Sequence, residues 1–144
     1  MEKPVILLSE DDDGHVRLIK NNIRRAGINN DIVVFKDGQE TLDFLYRNGT
    51  GPHRGKQVAY LLLLDLYMPV VNGLEVLKQL KQDNNLKNIP VVVLSTADDP
   101  KQIEHCYEIG CSKYIIKPVD YLSFSNTIRQ LGRFINREVI PNLN

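Results

Sequence analysis

The sequence predicts an α/β fold, a doubly wound five-stranded parallel sheet with the strand order 2-1-3-4-5. Short apolar runs alternate with amphipathic stretches along the chain, which is typical of β-α units. The apolar runs are continuous and β-branched rather than alternating, as expected of strands that are covered on both faces. Right-handed crossovers leave few topologies for five such units, and 2-1-3-4-5 is a common one.

The elements follow one another in a regular order. Strands are predicted over residues 4–9, 31–35, 60–64, 89–95 and 113–117. Helices are predicted to begin where a capping residue precedes apolar residues at helical spacing, namely at Asp12 or Asp13, near Gly38, after Asn72-Gly73, at Asp99-Pro100 and near Asp120. The inward residues predicted for the last helix are Leu122, Phe124, Ile128, Leu131 and Ile135. Residues 48–56 are polar and rich in turn formers, so they predict a loop.

Length and composition indicate one ordinary globular domain. The 144 residues are 42% hydrophobic and 25% charged, and 18 Lys and Arg balance 18 Asp and Glu. This balance gives no indication of a nucleic-acid or membrane surface. The sequence has no signal-peptide layout and no apolar run near the roughly 20 residues of a spanning helix. We therefore expect a cytoplasmic protein with a single domain over residues 1–144, a core of about residues 4–136 and a tail of residues 137–144.

Polar residues follow the predicted strands at the edge where parallel strands end. They are Glu10 and Asp11 after the first strand, Asp65 after the third, Ser95 at the end of the fourth and Lys117 at the end of the fifth. In the predicted order, the first and third strands are neighbours about 4.8 Å apart, at the switch point where ligands bind. The three carboxylates are therefore expected to meet in one crevice that Ser95 and Lys117 flank.

This combination of side chains suits phosphoryl transfer. Clustered carboxylates repel one another by roughly 1 to 4 kcal/mol per close pair, depending on the effective dielectric. A hard divalent cation removes this cost, and oxygen ligands favour Mg²⁺, with Mn²⁺ as the alternative. Lys117 adds a positive charge and Ser95 a hydroxyl, so Asp65 lies in a charge-stabilising shell. On this interpretation Asp65 is a nucleophile that becomes an aspartyl phosphate.

Each of these residues also has an ordinary structural explanation. Glu10 and Asp11 would cap the first helix, and Asp65 would form an Asx turn. Ser95 would be another cap and Lys117 a solvated lysine. The hypothesis that these residues have four independent structural roles at one sheet edge is the less favoured one. The histidines pair with no evident nucleophile and are interpreted as surface residues: His15, His53 and His105.

Four short motifs in order carry a family resemblance. They are the acidic pair Glu10-Asp11 after VILLS, LLLLDLYMP around Asp65, VVVLS ending in Ser95, and Lys117-Pro118 after YII. With these motifs the chain resembles the CheY-like receiver domain of two-component response regulators over nearly its whole length. The resemblance implies a flavodoxin-like receiver fold. It also implies a regulator in which Asp65 accepts a phosphoryl group from a sensor histidine kinase. Its output would be a switched binding surface or a phosphate relay, not enzymatic turnover.

The resemblance implies a set of metal ligands as well. Asp11, Asp65 and the backbone carbonyl of Tyr67 would bind Mg²⁺, with Glu10 acting through water. Tyr67 stands where a small or polar residue is more usual in the family, so its bulk would affect access to the site. An aspartyl-nucleophile phosphatase would need an acid at the position of Tyr67. A flavodoxin-like electron carrier would need a Ser/Thr/Gly-rich loop after the first strand, and the sequence offers neither.

A switch mechanism is implied in the same way. Ser95 would bond one phosphoryl oxygen after phosphorylation, and Lys117 would pair with another. Tyr114 would turn inward as the Ser95 hydroxyl moves. The peptide bond between Lys117 and Pro118 would be cis, since cis peptides are largely a proline property. Thr96, next to Ser95, would narrow the entry to the site.

Partners follow from the narrower resemblance. The loop at residues 48–56 is longer than the family minimum, and we expect no output domain after the last helix. In both respects the chain is similar to stand-alone regulators that pair with phytochrome-type sensor kinases. The expected partners are such a kinase and a downstream protein or phosphotransfer protein. A homodimer through the fourth helix, fifth strand and fifth helix is a further hypothesis. The tail FINREVIPNLN would extend this contact, although frayed tails are the commoner case.

Overall fold

A computed structural model describes residues 3–137 and 140–144. Its elements are β1 (Val5–Ser9), α1 (Asp13–Arg25), β2 (Ile32–Phe35), α2 (Gly38–Tyr46), β3 (Val58–Leu64), α3 (Gly73–Gln82), β4 (Val91–Ser95), α4 (Pro100–Ile109), β5 (Lys113–Ile116), α5 (Tyr121–Arg137) and β6 (Asn142–Leu143). The sheet order β2-β1-β3-β4-β5 is the predicted one, and its four pairings are parallel. The predicted fold class is therefore confirmed. Within the described ranges, none of the helices combines the length and the apolar character that crossing a membrane requires.

The leucine run of β3 is buried on both faces of the sheet. Leu61 and Leu63 pack into one core with α1 and α5, whereas Leu62 and Leu64 pack into a second core with α2, α3 and α4. Successive side chains of a strand point to opposite faces. An unbroken apolar sequence is therefore what a central strand between two helical layers needs. β3 is this central strand, because it pairs with both β1 and β4.

Acidic and amide side chains cap the helices at the predicted positions. The side chains of Asp12, Asp37, Asn72 and Asp99 each accept a hydrogen bond from a backbone N–H in the first turn of α1, α2, α3 and α4. Asp120 accepts from the backbone N–H of Ser123 in α5 in the same way. These bonds satisfy donors that a helix start leaves without a partner. They also lower the pKa of the exposed carboxyls of Asp12 and Asp120.

One predicted core residue of α5 is wrong. Leu122 was expected to face inward, but its side chain is 75% exposed. Phe124, Ile128 and Leu131 are buried against the sheet. Consecutive helical residues are about 100° apart, so Leu122, two positions before Phe124, lies on the far side of the helix. It therefore belongs to the outer surface of α5.

The end of the chain adds a strand that the sequence did not predict. Asn142 and Leu143 pair antiparallel with Ala59 and Val58 at the start of β3, which extends beyond its neighbours. Leu143 is buried in the core beneath α2, α3 and α4. The expectation of a frayed tail is therefore wrong for this segment. The part of the predicted tail at residues 138–139 lies outside the described residues.

The long loop between α2 and β3 is tied down by a buried arginine. Arg54 donates from Nε to the carbonyl of Leu45 at 2.9 Å and from Nη1 to the carbonyl of Asn144 at 2.8 Å. The backbone N–H of Gly55 donates to the hydroxyl of Tyr60 at 2.8 Å. These bonds join the end of α2, the loop and the last residues of the chain. The loop is consequently part of the packed structure.

Candidate functional site

Backbone hydrogen bonds carry the acidic residues to the carboxyl edge of the sheet. The N–H of Asp65 donates to the carbonyl of Ser9 at 3.0 Å, and the N–H of Glu10 donates to the carbonyl of Phe35 at 3.0 Å. Both bonds continue the parallel ladder by one residue beyond the strands. The first residues after β1 and β3 are therefore fixed side by side, as the strand order requires.

Three carboxylates meet at this edge as expected. One oxygen from each of Glu10, Asp11 and Asp65 lies within 4.8 Å of the other two. Glu10 and Asp65 are buried, while Asp11 is exposed at the mouth of the crevice. Oxygen donors this close repel one another unless a cation or a proton intervenes, so the donor set fits a hard divalent cation such as Mg²⁺ or Mn²⁺. The role of each acid as a metal ligand stays a prediction.

Lys117 reaches into the same crevice. Its Nζ donates a short hydrogen bond to Oε1 of Glu10 and another, at 3.3 Å, to Oδ2 of Asp65. The N–H of Lys117 is held by the carbonyl of Ser95 at 2.7 Å, which fixes where the side chain starts. The ammonium is thus a buried positive charge between two carboxylates. The interpretation of Lys117 as a solvated lysine is wrong.

Burial dominates the protonation of Glu10. It raises the pKa of this carboxyl from the ordinary 4.5 to about 7. The hydrogen bond and charge of Lys117 oppose the rise, and the negative charge of Asp65 adds to it. Burial therefore destabilises the ionised form of Glu10, and a further cation beside it would offset this cost.

Asp65 also forms the local turn that was its alternative explanation. Its Oδ1 accepts a hydrogen bond from the backbone N–H of Tyr67 at 3.1 Å, which is an Asx turn. The other oxygen, Oδ2, remains directed to Lys117. One carboxylate therefore serves both the turn and the crevice. The side chain of Tyr67 is exposed at the surface, and the contact of its carbonyl with a metal stays a prediction.

Gly73 holds the loop after Asp65 against the start of α3. Its N–H donates to the carbonyl of Leu66 at 3.0 Å. A Cβ at this position would lie 2.2 Å from the carbonyl oxygen of Asp65. Only glycine allows the first turn of α3 to approach the backbone that carries Asp65.

Ser95 and Tyr114 are connected through the loop after β4. Ser95 Oγ accepts from the N–H of Ala97 at 3.2 Å, and the hydroxyl of Tyr114 donates to the carbonyl of Ala97 at 2.7 Å. Tyr114 is buried, so its ring faces inward. The bond to Ser95 forms a local serine turn and not the helix cap that was the alternative explanation, because Asp99 caps α4. The predicted contact of Ser95 with a phosphoryl oxygen remains untested.

The predicted cis peptide bond is wrong. The bond between Lys117 and Pro118 is trans, as are the other peptide bonds across the described part of the chain. The trans form is favoured for X-Pro bonds by about 0.5–1 kcal/mol. Lys117 reaches Glu10 and Asp65 from a trans bond, so the contacts of the crevice do not require the cis form.

His15 is a member of the site that the sequence interpretation missed. It lies in the first turn of α1, and its Nδ1 is 3.2 Å from Nζ of Lys117 and 3.6 Å from Oε1 of Glu10. Its position in the first turn of α1, shortly after the acidic residues that follow β1, was the available signal. A cavity of about 360 Å³ opens beside it, lined by His15, Leu18, Thr96, Lys117, Pro118, Val119, Asp120 and Phe124.

Comparison with known proteins defines the class of protein to which this fold and crevice belong. Residues 6–129 match the model of the response regulator receiver domain. The chain therefore belongs to the response regulator receiver domain family. The resemblance inferred from the four motifs is confirmed, and the flavodoxin-like electron carrier is set aside.

Relatives with solved structures share the whole fold. A receiver domain from Rhodospirillum rubrum is 43% identical, with a TM-score of 0.89 over 97% of this chain and 99% of that chain. Response regulator Rcp1 from Synechocystis sp. is 34% identical over 113 residues, which are 78% of this chain and 76% of Rcp1. Its Mn²⁺-bound structure has a TM-score of 0.84 and 29% identity over 96% of this chain and 99% of that chain.

A third structure bears on phosphorylation. It is the phosphorylated cyanobacterial phytochrome response regulator RcpA, which is 30% identical. The TM-score is 0.84 over 97% of this chain and 99% of that chain. Two similar structures are thus described with a metal ion or a phosphoryl group. A divalent metal ion and a phosphoryl group both fit the chemistry of the acidic crevice described above.

Proposed function

We propose that this protein is a response regulator in which Asp65 accepts a phosphoryl group from the phosphohistidine of a sensor histidine kinase. The observation that supports this most directly is the distance of 3.3 Å between Lys117 Nζ and Asp65 Oδ2, in the crevice shared with Glu10 and Asp11. Membership of the receiver family supports it as well. We propose one receiver domain over residues 1–144, which acts as a switch or phosphate relay rather than as an enzyme with its own small-molecule substrate.

The transfer step uses one oxygen of the Asp65 carboxylate as the nucleophile. A carboxylate oxygen attacks phosphorus, the bond from phosphorus to the kinase imidazole nitrogen breaks, and its electron pair remains on that nitrogen. Lys117 lies where negative charge increases as the phosphoryl group arrives, so its ammonium stabilises the transition state. Asp65 is buried at the base of the crevice, so the phosphodonor must approach through the crevice mouth.

The proposed metal is Mg²⁺, with Mn²⁺ as the alternative. Asp11, Asp65 and the backbone carbonyl of Tyr67 would hold it, with Glu10 acting through water. When bound, the cation would offset the charge of the clustered carboxylates and polarise the phosphoryl oxygens. The support is the convergence of three carboxylate oxygens and the Mn²⁺-bound structure of Rcp1.

The proposed switch begins at Ser95. Its Oγ now accepts a hydrogen bond from the N–H of Ala97. A phosphoryl group on Asp65 would accept a hydrogen bond from the Ser95 hydroxyl, and turning this side chain towards Asp65 would draw Oγ away from the N–H of Ala97. The carbonyl of Ala97 in turn accepts a hydrogen bond from the hydroxyl of Tyr114. A shift of this loop would therefore alter the position of the tyrosine. This is a local charge change acting on a two-state element.

The proposed partners are a sensor kinase and a downstream protein or phosphotransfer protein in the cytoplasm. The description of RcpA supports a phytochrome-type kinase. A homodimer through α4, β5 and α5 is supported by one exposed large apolar side chain on each element, namely Tyr107, Ile116 and Leu122. The balanced charge of the chain, 18 basic and 18 acidic residues, favours a protein partner over nucleic acid or membrane.

Phosphorylation by acetyl phosphate with Mg²⁺, followed by intact mass measurement, tests the acceptor. The wild type should be labelled stoichiometrically, and Asp65→Asn should not be labelled. Persistent stoichiometric labelling of Asp65→Asn would refute the assignment. Ser95→Ala should still be labelled but should respond more weakly in conformation, and an unchanged partner affinity in this variant would contradict the switch. Sizing with and without Mg²⁺ and beryllofluoride tests the dimer.

A further inference from the structure

The chain contains two Asn-Gly pairs, and their environments differ. Asn48-Gly49 follows α2, and both of its residues are exposed, whereas Gly73 of Asn72-Gly73 is buried in the first turn of α3. In such a pair the backbone nitrogen of glycine can attack the side-chain amide carbon of asparagine, because glycine has no Cβ to hinder the approach. Whether this reaction occurs depends on how the two groups are held.

Hydrogen bonds restrain both reacting groups of Asn72-Gly73. The N–H of Gly73 donates to the carbonyl of Leu66 at 3.0 Å. Oδ1 of Asn72 accepts from the N–H of Glu75 at 3.0 Å, because Asn72 is the N-cap of α3. The nitrogen of Gly73 and the amide of Asn72 are therefore fixed at the start of the helix, and they cannot react without local opening of α3.

The reacting groups of Asn48-Gly49 are not restrained in this way. Across residues 3–137 and 140–144, neither the side-chain amide of Asn48 nor the N–H of Gly49 makes a hydrogen bond. Gly49 has a φ of 73°, a conformation that glycine adopts at no steric cost. Gly51 follows, and a Cβ there would meet no atom within 4 Å. This exposed segment can therefore rearrange at a low cost in free energy.

His53 is hydrogen-bonded to the peptide group that joins the exposed pair. Its Nε2 is 2.9 Å from the carbonyl oxygen of Asn48 and 3.0 Å from that of Gly49. Carbonyl oxygens only accept, so Nε2 carries a hydrogen whether the ring is neutral or protonated. When the nitrogen of Gly49 loses its proton, the negative charge is shared with the carbonyl oxygen of Asn48. The Nε2–H group therefore stabilises the nucleophile, as hydrogen-bond donors stabilise developing anions in catalytic sites.

We propose that Asn48 is a site of spontaneous deamidation that His53 assists. The nitrogen of Gly49 gives its proton to solvent and forms a bond to Cγ of Asn48. The bond from Cγ to Nδ2 breaks, and the leaving nitrogen takes up a proton and departs as ammonia. Water then opens the succinimide ring at either carbonyl carbon, so position 48 becomes aspartate or isoaspartate. The change uses no group of the acidic crevice, and it is independent of the proposed function.

Incubation of the folded protein in mildly alkaline buffer, followed by peptide mass mapping, tests the site. The readout is the mass gain when the amide NH₂ is replaced by OH, with isoaspartate and aspartate separated by chromatography. Asn48 should be modified at least about tenfold faster than Asn72, which is the internal control. Equal rates, or a faster reaction at Asn72, would overturn the site. In urea the two rates should become similar, and a difference that persists there would show that local sequence is the cause.

Two matched substitutions test the assistance by histidine. His53→Phe keeps an aromatic ring and removes the donor, so the reaction at Asn48 should be about tenfold slower. His105→Phe, at an exposed histidine of α4, should leave the rate unchanged. An equal or higher rate in His53→Phe would overturn the role of His53, as would the same decrease in both variants.

Discussion

The ammonium of Lys117 and the carboxylate of Glu10 form a buried ion pair that joins the ends of β5 and β1. Their side chains are 4% and 1% exposed. Removing one member of such a pair leaves an uncompensated charge and costs about 3–5 kcal/mol. Burial of the ionised form of Glu10 is therefore tolerable because the lysine, and in the proposed functional state a divalent cation, lies beside it.

The first prediction concerns pH. The stability of the metal-free protein should fall as the pH rises from 4.5 through about 7. Burial raises the pKa of Glu10 from 4.5 to about 7, so the folded state binds this proton more tightly than the unfolded chain. That contribution is fully present below pH 4.5 and is lost above pH 7, and it amounts to about 3 kcal/mol. Urea unfolding of the wild type and of Glu10→Gln in a chelator from pH 4 to 8 measures it, and parallel curves would contradict the prediction.

The second prediction concerns Gly73. A Cβ at this position would lie 2.2 Å from the carbonyl oxygen of Asp65 and 2.7 Å from Cα of Leu66. Gly73→Ala must therefore displace the backbone that carries Asp65, with a loss of about 1–3 kcal/mol in the free energy of unfolding and slower labelling by acetyl phosphate. Gly51→Ala is the matched control, since no atom lies within 4 Å of its Cβ position. Equal behaviour of the two variants would show that the close approach is unimportant.

The third prediction is a gain of stability at Val70. This β-branched residue has a φ of 67°, and its side chain is 77% exposed. The left-handed region costs an ordinary residue about 1–2 kcal/mol, whereas asparagine tolerates it. Val70→Asn should therefore raise the free energy of unfolding by about 1 kcal/mol. Val119→Asn, at a fully exposed valine without positive φ, should bring no gain. A similar gain there would show that removing an exposed apolar side chain, and not relief of the left-handed backbone, is the cause.

The fourth prediction concerns the end of the chain. Leu143 is buried beneath α2 and pairs with Val58. Leu143→Ala should reduce the free energy of unfolding by about 2–3 kcal/mol, which lies at the low end for buried leucines. Asn142→Ala, on the exposed neighbour, should change it by less than about 0.5 kcal/mol. A negligible effect of Leu143→Ala in urea unfolding would mean that the segment is detached in solution.

Much of the fold and the placement of the acids followed from the sequence for simple reasons. Parallel strands end at one edge, so residues far apart in sequence, such as Glu10, Asp65 and Lys117, become neighbours once the strand order is known. The unbroken leucines of β3 and the capping residues of the helices are local signals of burial and of helix starts. These signals depend on backbone periodicity, which sequence patterns report directly.

The features that were missed depend on side-chain packing or on small energy differences. The strand at Asn142–Leu143 has only two residues and therefore no periodic pattern. Leu122 differs from the core residues of α5 only in its angle around the helix, and His15 differs from other surface histidines only in facing Lys117. The cis and trans forms of the peptide bond before Pro118 differ by only about 1 kcal/mol in free energy, and no local sequence pattern reveals so small a difference.

The buried position of Arg54 has a consequence for proteolysis. The loop around it, GTGPHRGK, has the composition of a linker that trypsin would cut. Trypsin must take an arginine side chain into its own acidic pocket, but this guanidinium is already held by the carbonyls of Leu45 and Asn144. The backbone N–H of Arg54 is likewise bonded to Phe44. Cleavage here therefore requires local unfolding of the loop and of the chain end together.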